Sequence, residues 1–139
     1  MKEQFSIKNF MMRLPCLFIA ETEEKGRAVF TNDALETGTL LETAPVIVMT
    51  GEERKLIDQT RLHDYIFVWG DANDQCAMAL GWIAMYNHSY QSNAEYYMDF
   101  ETEQMFIKTV RPIAAGEEVT INYNGTWNDE TKVWFDAAG

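Results

Sequence analysis

The stretch YNHSYQSN, Tyr86 to Asn93, follows an apolar run, CAMALGWIAM, that extends from Cys76 to Met85. Burying an amide or an imidazole beside such a run costs free energy unless the polar group is hydrogen-bonded. Asn87 and His88 are therefore expected either to tie backbone segments together or to hold a polar ligand. The run from Cys76 to Tyr86 is apolar all round and predicts a buried helix or a turn followed by a helix, although periodicity alone does not exclude a strand.

The composition describes a globular protein with an acidic surface. The chain has 139 residues, of which 47% are hydrophobic, and this is enough for one domain with a core of its own. Acidic residues outnumber basic ones by 22 to 11, which gives a net charge of −11. This balance argues against nucleic acid or an anionic membrane as partner, because phosphate binding needs clustered Lys and Arg. It suits attraction of a lysine-rich protein and, equally, simple solubility.

The few cysteines and histidines predict neither a zinc site nor a disulfide framework. The two cysteines, Cys16 and Cys76, form no CxxC pair, so an intracellular, reducing location is expected, cytoplasmic if the source is bacterial. Residues 10–20, FMMRLPCLFIA, resemble a signal peptide, but Arg13 and Pro15 interrupt them and ETEEKGR follows in place of a small-residue cleavage site. No run is long enough to span a bilayer, which predicts a soluble protein.

Short β-type runs separated by Gly, Asn and Asp dominate the chain and predict a mainly β fold with a few short helices. The predicted strands are residues 17–20, 27–31, 39–42, 45–49, 94–100, 104–110 and 118–123. TGEE, at Thr50 to Glu53, is a capping box that predicts a helix through about Asp58. Asn128 is placed to cap a last helix, DETKVWFDA, at residues 129–137.

Three short segments follow one another along the chain: the first contains a glycine turn, the second two asparagines and a histidine, and the third ends in a tyrosine. They are KGRAVF (25–30), YNHSYQSN (86–93) and GEEVTINY (116–123). In this order they resemble the SET-domain family of protein lysine methyltransferases. That family has a glycine turn near its start, an Asn-His-Ser segment with Asn four residues further on, and a Gly-Glu-Glu…Tyr strand near its end. The glycine turn alone is a weak match, whereas NHSxxxN followed by GEExTxxY is a strong one.

The resemblance covers about residues 17–127 and implies a single SET domain over residues 1–139. An insert at about 50–85 would separate two strand–turn–strand units, as a weak echo between residues 34–41 and 112–119 also suggests. The implied fold consists of small β-sheets with a C-terminal, pseudoknot-like crossing, in which the last strand threads beneath the Asn-His-Ser segment. Such threading is rare and would bring distant residues into one site. A short helical tail would follow.

The resemblance implies S-adenosylmethionine as the cofactor and no metal. Its binding would involve Asn87 together with the backbone of His88, Gly26, Arg27 and Ala28. For the His88 ring, a hydrogen bond across the crossing is an equally good interpretation beside a cofactor contact. Ala28 stands where a second glycine is common in the family, and a backbone contact tolerates the added methyl group.

Tyr123 matches the family's catalytic tyrosine. Methyl transfer needs a neutral lysine amine, yet with a pKa of about 10.4 only about one lysine in a thousand is neutral near pH 7. A narrow apolar channel and a nearby sulfonium both favour deprotonation, and the Tyr123 phenol, itself a poor base, would align the amine. Tyr96 falls where the family has Phe or Tyr, and its hydroxyl would restrict the product mainly to monomethyl-lysine. Tyr86 and Tyr65 could line the same lysine channel, with ordinary core packing as the alternative.

Several positions depart from the family pattern, and the cysteine cluster that many members place after the domain is absent. The departures include Tyr90, Ser92 and Asn122, where Cys, Pro and Asp are common. Trp127 could cover the adenine of the cofactor by stacking, as could Trp134 or Phe135, or these side chains could anchor the C-terminal tail.

The sequence thus predicts a protein lysine N-methyltransferase that acts on a lysine-containing basic protein or peptide, with no nucleic acid or membrane as partner. A homodimer is an open alternative to a monomer, because short members of the family can complete their sites by dimerising. The competing hypothesis is a SET-like binding module that recognises a basic partner without methyl transfer. Tyr123→Phe separates the two, since binding alone should be insensitive to it and transfer should fall sharply.

Overall fold

Strands dominate the computed structural model, which describes residues 12–70 and 74–133. In chain order they are β1 (Met12–Arg13), β2 (Leu17–Thr22), β3 (Gly26–Thr31), β4 (Leu40–Met49), β5 (Phe67–Trp69), β6 (Gln75–Ala79), β7 (Asn87–His88), β8 (Ala94–Asp99), β9 (Gln104–Thr109) and β10 (Glu118–Ile121). The helical segments are α1 (Gly51–Ile57) and two 3-10 turns, Arg61–Tyr65 and Ile83–Met85. Within the described ranges no helix is long and apolar enough to cross a membrane. The predicted fold class, mainly β with short helices, is confirmed.

The larger sheet is built on the long strand β4. Its strand order is β5-β6-β4-β9-β8, and β1 also pairs with β4. The first part of β4 pairs with β9 as far as Pro45, and the second part pairs with β6 from Val46 onward. Proline has no N–H to donate, so a change of partner at Pro45 costs the sheet no hydrogen bond from that residue. The two strands predicted at 39–42 and 45–49 therefore form one strand.

The smaller sheet contains the predicted crossing. Its order is β2-β3-β10-β7, and β10 runs antiparallel to β3 but parallel to β7. Residues 87–93 curve around β10 and are bonded to it at both ends. At one end the Ser89 N–H donates to the Ile121 carbonyl at 2.9 Å. At the other end the buried Asn93 side chain accepts the Thr120 N–H at 2.9 Å. The last strand thus threads beneath the Asn-His-Ser segment.

The hydrophobic core draws on both sheets and on the turn Ile83–Met85. Its largest fully buried apolar side chains are Leu41, Ile83, Tyr86, Met105, Ile107, Ile113 and Ile121. Burying a side chain of this size stabilises the fold by roughly 1.5–3 kcal/mol. The alternation in EVTINY, residues 118–123, predicts that Val119, Ile121 and Tyr123 share one face of a strand. Val119 and Ile121 lie inside. Thr120 between them is also buried, because the crossing covers the other face of β10.

The helix predicted from the capping box is confirmed. The Thr50 hydroxyl accepts the Glu53 N–H at 3.1 Å, and the Glu53 carboxylate accepts the Thr50 N–H at 3.0 Å. These two bonds satisfy donors that the first helical turn leaves without an intrahelical partner. The resulting helix α1 packs against β4 and β6 of the larger sheet.

The helix favoured for the run Cys76 to Tyr86 is wrong in its first part. Residues 76–79 belong to β6, and only Ile83–Met85 coils as a 3-10 turn. Because β6 lies between β4 and β5, most of its side chains are buried and the run shows no polar alternation. A continuous apolar run of this length does not distinguish a buried strand from a buried helix.

The helix predicted after Asn128 is also wrong as far as the structure describes it, to Val133, and its remainder lies outside the described residues. Two amide side chains bind carbonyls that a helix would need. The Asn122 amide donates to the Asp129 carbonyl at 2.8 Å. The Asn124 amide donates to the Thr131 carbonyl at 2.6 Å. Residues 129–133 are therefore held beside the end of β10 without regular secondary structure.

Candidate active site

Two cavities of unlike character meet at Tyr123, just beyond the end of β10. The first, here called the channel, has a volume of about 380 Å³ and is walled mainly by aromatic and aliphatic side chains such as Phe67 and Tyr96. The second, here called the cleft, has a volume of about 640 Å³ and is mainly polar. Characteristic cleft residues are Glu21, Glu24, Lys25, Arg27, Asn87 and His88. Asp64, Tyr65, Ala84 and Tyr123 line both cavities.

One wall of the cleft is the turn between β2 and β3. The Thr22 hydroxyl holds it by donating to the Gly26 carbonyl at 3.0 Å and accepting the Lys25 N–H at 2.9 Å. Gly26 has a φ of +71°, a left-handed conformation that favours glycine. Gly26 and Arg27 line the cleft, whereas Ala28 is fully buried and does not.

Asn87 joins the three segments on which the family resemblance rests. Its Nδ2 donates to the Arg27 carbonyl at 3.1 Å and to Glu118 Oε2 at 3.0 Å. Glu118 Oε1 in turn lies 3.3 Å from Lys25 Nζ. The Asn87 amide therefore ties the glycine turn to the last strand, and the same residue faces the cleft.

The His88 ring is bonded across the crossing. Its Nδ1 accepts the Tyr123 backbone N–H at 3.0 Å, so the neutral ring carries its proton on Nε2. The Tyr90 ring meets it edge-on with centroids 4.3 Å apart, and the Tyr123 ring lies 5.0 Å away. This ring contributes to the site by fixing the backbone of Tyr123.

Tyr123 is held at both its backbone and its hydroxyl. The hydroxyl donates to the Tyr86 carbonyl at 3.0 Å. Burial, followed by the nearby Tyr65, Asp64 and Glu118, raises the pKa of the Tyr123 phenol to about 12. The phenol therefore remains protonated at physiological pH and is a hydrogen-bond donor with a fixed direction.

Tyr96 lies in the channel beside Tyr123. Its hydroxyl donates to the Tyr123 carbonyl at 3.2 Å, and its ring packs on Phe67 with centroids 5.2 Å apart. Burial raises the pKa of the Tyr96 phenol, so it too stays protonated. An added Cβ at Gly125, which has a φ of +103°, would lie 3.5 Å from the Tyr96 hydroxyl, an ordinary van der Waals distance.

The other two predicted channel tyrosines have different settings. Tyr86 lines the channel but is only 1% exposed, and its hydroxyl donates to Glu42 Oε1 at 2.8 Å. Tyr65 is 38% exposed and stands where the channel and the cleft join. Tyr86 is thus anchored in the core, and Tyr65 is open to solvent at the junction.

Comparison with known proteins decides the family. A family model described as the SET domain matches residues 26–124, which span Gly26, Asn87 and Tyr123. The chain belongs to the SET-domain family. It is also 32% identical over 130 residues to a Schizosaccharomyces pombe protein named histone-lysine N-methyltransferase, H3 lysine-37 specific; the match covers 90% of this chain and 83% of the relative.

Two solved structures share the fold of this SET domain. A candidate histone methyltransferase from Plasmodium falciparum aligns with a TM-score of 0.61 at 23% identity, over 80% of this chain and 99% of the other. The Neurospora SET domain protein DIM-5, a histone lysine methyltransferase, aligns with a TM-score of 0.63 at 18% identity, over 84% of this chain and 55% of the other. At these identities the likeness shows the fold alone.

Trp127 of this SET domain lies apart from both cavities. Its backbone is fixed by its own N–H, which donates to Glu95 Oε2 at 2.6 Å, and by its carbonyl, which accepts the Ser92 N–H at 3.0 Å. Its side chain is 36% exposed. In the described part of the chain, no group of His, Cys, Asp and Glu side chains is arranged to hold a metal ion.

Several residues of the site were missed by sequence reasoning, and three of them illustrate why. Asp64 and Ala84 line both cavities, but they lie in the predicted insert, where no motif fixes the backbone. Glu42 lies beneath Tyr86 with no exposed surface. The sequence feature that could have identified Glu42 is its position as an acidic residue within the apolar stretch TLLETAPVIV. A carboxylate is rarely buried in such a stretch unless it has hydrogen-bonding or charged partners.

Proposed function

We propose that this SET domain is a protein lysine N-methyltransferase, which transfers a methyl group from S-adenosylmethionine to the ε-amine of a lysine in a basic protein or peptide. The observation that carries the proposal is the meeting of a polar cleft and an apolar channel at Tyr123. A charged cofactor and a neutral amine need opposite surroundings, and methyl transfer needs both at one point. We further propose that residues 1–139 act as a single domain.

The cleft fits the charges of the proposed cofactor. S-adenosylmethionine carries a sulfonium, an ammonium and a carboxylate, and the cleft offers the carboxylates of Glu21 and Glu24 and the cations of Lys25 and Arg27. Gly26 lets the backbone approach a ligand without a side chain in the way. The proposed contacts are Asn87 and the backbone of His88, Gly26 and Arg27. Contacts from Ala28 and Trp127 stay predictions, since neither residue lines the cleft.

The bound cofactor supplies an electrophilic methyl group on sulfur. The channel presents the neutral amine, because apolar walls raise the free energy of a lysine ammonium and so lower its pKa. The lysine proton leaves to solvent before transfer, and the Tyr123 hydroxyl oxygen accepts an N–H of the neutral amine, which leaves the nitrogen lone pair free to attack the methyl carbon. Because the pKa of Tyr123 is about 12, its phenol stays protonated, keeps its hydrogen bond to the Tyr86 carbonyl and is not the base.

Monomethyl-lysine is the main product that we propose. The Tyr96 hydroxyl lies in the channel beside Tyr123. A hydroxyl there holds the amine or a water molecule in the space that a second methyl group would occupy. Tyr86 and Tyr65 complete the proposed channel wall.

A basic tail is the proposed substrate. The net charge of −11 attracts lysine-rich chains over a distance of about a Debye length. A histone H3 tail is the first peptide to assay, since the S. pombe relative is named for lysine 37 of H3. The homodimer stays a prediction.

The first test separates cofactor binding from transfer. Calorimetric titration with S-adenosylmethionine should show saturable binding, and Asn87→Ala should weaken it about tenfold by removing two hydrogen bonds near the ligand. The matched control is Asn32→Ala, which changes an exposed asparagine outside both cavities and should bind as wild type does. Equal affinity of Asn87→Ala and wild type would refute the assigned cofactor site.

The second part measures methyl transfer to a basic peptide by mass spectrometry. Tyr123→Phe should keep cofactor affinity but lower kcat about 100-fold, because the amine loses its orienting hydroxyl. Tyr97→Phe is the control, since the Tyr97 hydroxyl bonds Glu95 and lies outside both cavities. Peptide binding without transfer, unchanged by Tyr123→Phe, would support the binding-module alternative.

A further inference from the structure

Glu42 is a fully buried carboxylate. Its burial is unfavourable to folding, and packing of the core alone does not explain why a carboxylate lies there. It lies in β4 with 0% exposure, and burial raises the pKa of its carboxyl group. Moving a carboxylate out of water is unfavourable, and an apolar residue of similar size is often at least as stabilising at such a site. A function in orienting its neighbours is the explanation that its contacts favour.

Glu42 binds both ends of the segment that precedes the Asn-His-Ser motif. Its Oε2 accepts the Trp82 N–H at 2.7 Å, and its Oε1 accepts the Tyr86 hydroxyl at 2.8 Å. Burial, followed by the neighbouring Glu42 charge, raises the pKa of Tyr86 well above its usual value, so its phenol keeps the proton that it donates. The 3-10 turn Ile83–Met85 is therefore fixed at its start and at its end by one carboxylate.

The Arg13 side chain closes the same cluster from the solvent side. Its guanidinium lies 3.6 Å above the Trp82 ring and its Nη1 lies 4.0 Å from Glu42 Oε2. The guanidinium thus forms a cation–π contact with the face of the Trp82 ring. The carboxylate thus has a peripheral cation and two short hydrogen bonds, and these contacts hold its position within the core.

The cluster connects directly to the proposed catalytic hydroxyl. Tyr86 donates its own hydroxyl to Glu42 and accepts the Tyr123 hydroxyl at its backbone carbonyl, at 3.0 Å. A shift of Tyr86 would therefore redirect the Tyr123 O–H. Ala84, inside the clamped turn, lines both cavities, so the same shift would change the point where they join.

We propose that Glu42 is a positioning residue for methyl transfer, which acts through Tyr86 on the direction of the Tyr123 hydroxyl. The inference rests on the proposed function and adds a residue to its machinery. An uncharged acceptor cannot fully replace the carboxylate, because both of its oxygens accept from donors. The amide of Glu42→Gln can satisfy the Trp82 N–H with its oxygen, but its NH₂ then faces the Tyr86 hydroxyl and turns that O–H away.

The kinetic test is a double-mutant cycle with Tyr123. Glu42→Gln should lower kcat roughly 10- to 100-fold and leave the KM for S-adenosylmethionine nearly unchanged, because a small misplacement of an orienting group affects the transition state most. In the Tyr123→Phe background the same substitution should have no further effect on kcat. If Glu42→Gln lowered kcat equally in the wild-type and Tyr123→Phe backgrounds, the cause would be general destabilisation, and the proposal would be overturned.

Two further variants distinguish loss of positioning from loss of stability. Tyr86→Phe keeps Glu42 and removes the same link from its other side, so its kcat should fall like that of Glu42→Gln. Thr109→Ala is the matched control for lost buried hydrogen bonds, since the Thr109 hydroxyl donates to the Glu36 carbonyl at 2.6 Å and accepts the Thr39 N–H at 2.9 Å, outside both cavities. It should lower the melting temperature and keep wild-type kcat.

A measurement without turnover distinguishes this inference from the proposed function. With tyrosine labelled by ¹³C at Cζ, the Tyr123 resonance, assigned with Tyr123→Phe, should shift in Glu42→Gln and in Tyr86→Phe but not in Thr109→Ala. An unmoved resonance in folded Glu42→Gln would overturn the inference whatever the activity. If the resonance shifts in Glu42→Gln but the wild-type chain transfers no methyl group, the proposed function is refuted and the link from Glu42 to Tyr123 is supported.

Discussion

The channel and the cleft share four residues but differ in nearly everything else. The channel is walled mainly by aromatic and aliphatic side chains, and the hydroxyls of Tyr86, Tyr96 and Tyr123 are bonded to backbone carbonyls or to Glu42. The cleft is lined by exposed carboxylates and cations around the turn at Gly26. The difference places a region of low polarity next to a region of high polarity, with Tyr123 at the boundary. Substitutions on either side, or at the junction, should therefore change different steps of the proposed reaction.

Closing the junction should have the largest effect. Ala84 lines both cavities, so Ala84→Phe places a ring between them and should lower kcat/KM for the peptide about 100-fold or more by keeping the reactants apart. A radiometric transfer assay measures this. Ala34→Phe adds the same ring at an exposed position outside both cavities and is the control. Wild-type transfer by folded Ala84→Phe would mean that the two cavities do not work together.

The pH dependence of kcat/KM should report the ionisation of the substrate lysine before it binds. Below the usual lysine pKa of about 10.4, the neutral fraction of a free lysine rises about tenfold per pH unit, so kcat/KM should rise about 100-fold between pH 7 and 9. The Tyr123 phenol, with a pKa of about 12, stays protonated over this range and should cause no decline. Initial rates across buffers test both statements. A falling limb below pH 9 that disappears in Tyr123→Phe would show that this phenol ionises earlier than its burial implies.

The smallest expected effect lies inside the channel. Tyr96→Phe should keep the total transfer rate within about threefold and shift the product from monomethyl- towards di- and trimethyl-lysine, because it removes the hydroxyl beside Tyr123. Mass spectrometry of the peptide at high turnover measures the ratio. Tyr97→Phe, on the next residue of β8 and outside the channel, should leave the product unchanged. An unaltered product ratio in Tyr96→Phe would count against the monomethylation proposal.

The elements that are determined by residues close together in the chain could be predicted from the sequence. The Thr50–Glu53 capping box fixes α1 within four residues, and the alternation in EVTINY indicates β10. The meeting of Gly26, Asn87 and Tyr123 was expected from the fold that the family resemblance implies, and the structure brings all three to the walls of the cleft. In each case a short stretch carries the information.

The remaining features depend on residues far apart in the chain. Whether Cys76 begins a strand or a helix is decided by β4 and β5 on either side of it. The tail after Asn128 loses its predicted helix to amides at the end of β10, which no local pattern reveals. Glu42 has contacts forty residues or more away, so the sequence shows an odd acidic residue but not its partners. Propensity is a weak guide wherever tertiary contacts compete with it.

The parallel pairing of β10 with β7 also has a consequence for how the protein is made. Asn87 pairs with Thr120, and β10 in addition completes β3 on its other side. During synthesis, one edge of β3 therefore stays unpaired until most of the chain has left the ribosome. An unpaired strand edge can form hydrogen bonds with strands of other chains. Pairing strands so distant in sequence also closes a long loop, which slows folding. The site can therefore form only after β10 has been synthesised, and until then the edge of β3 is open to association with other chains.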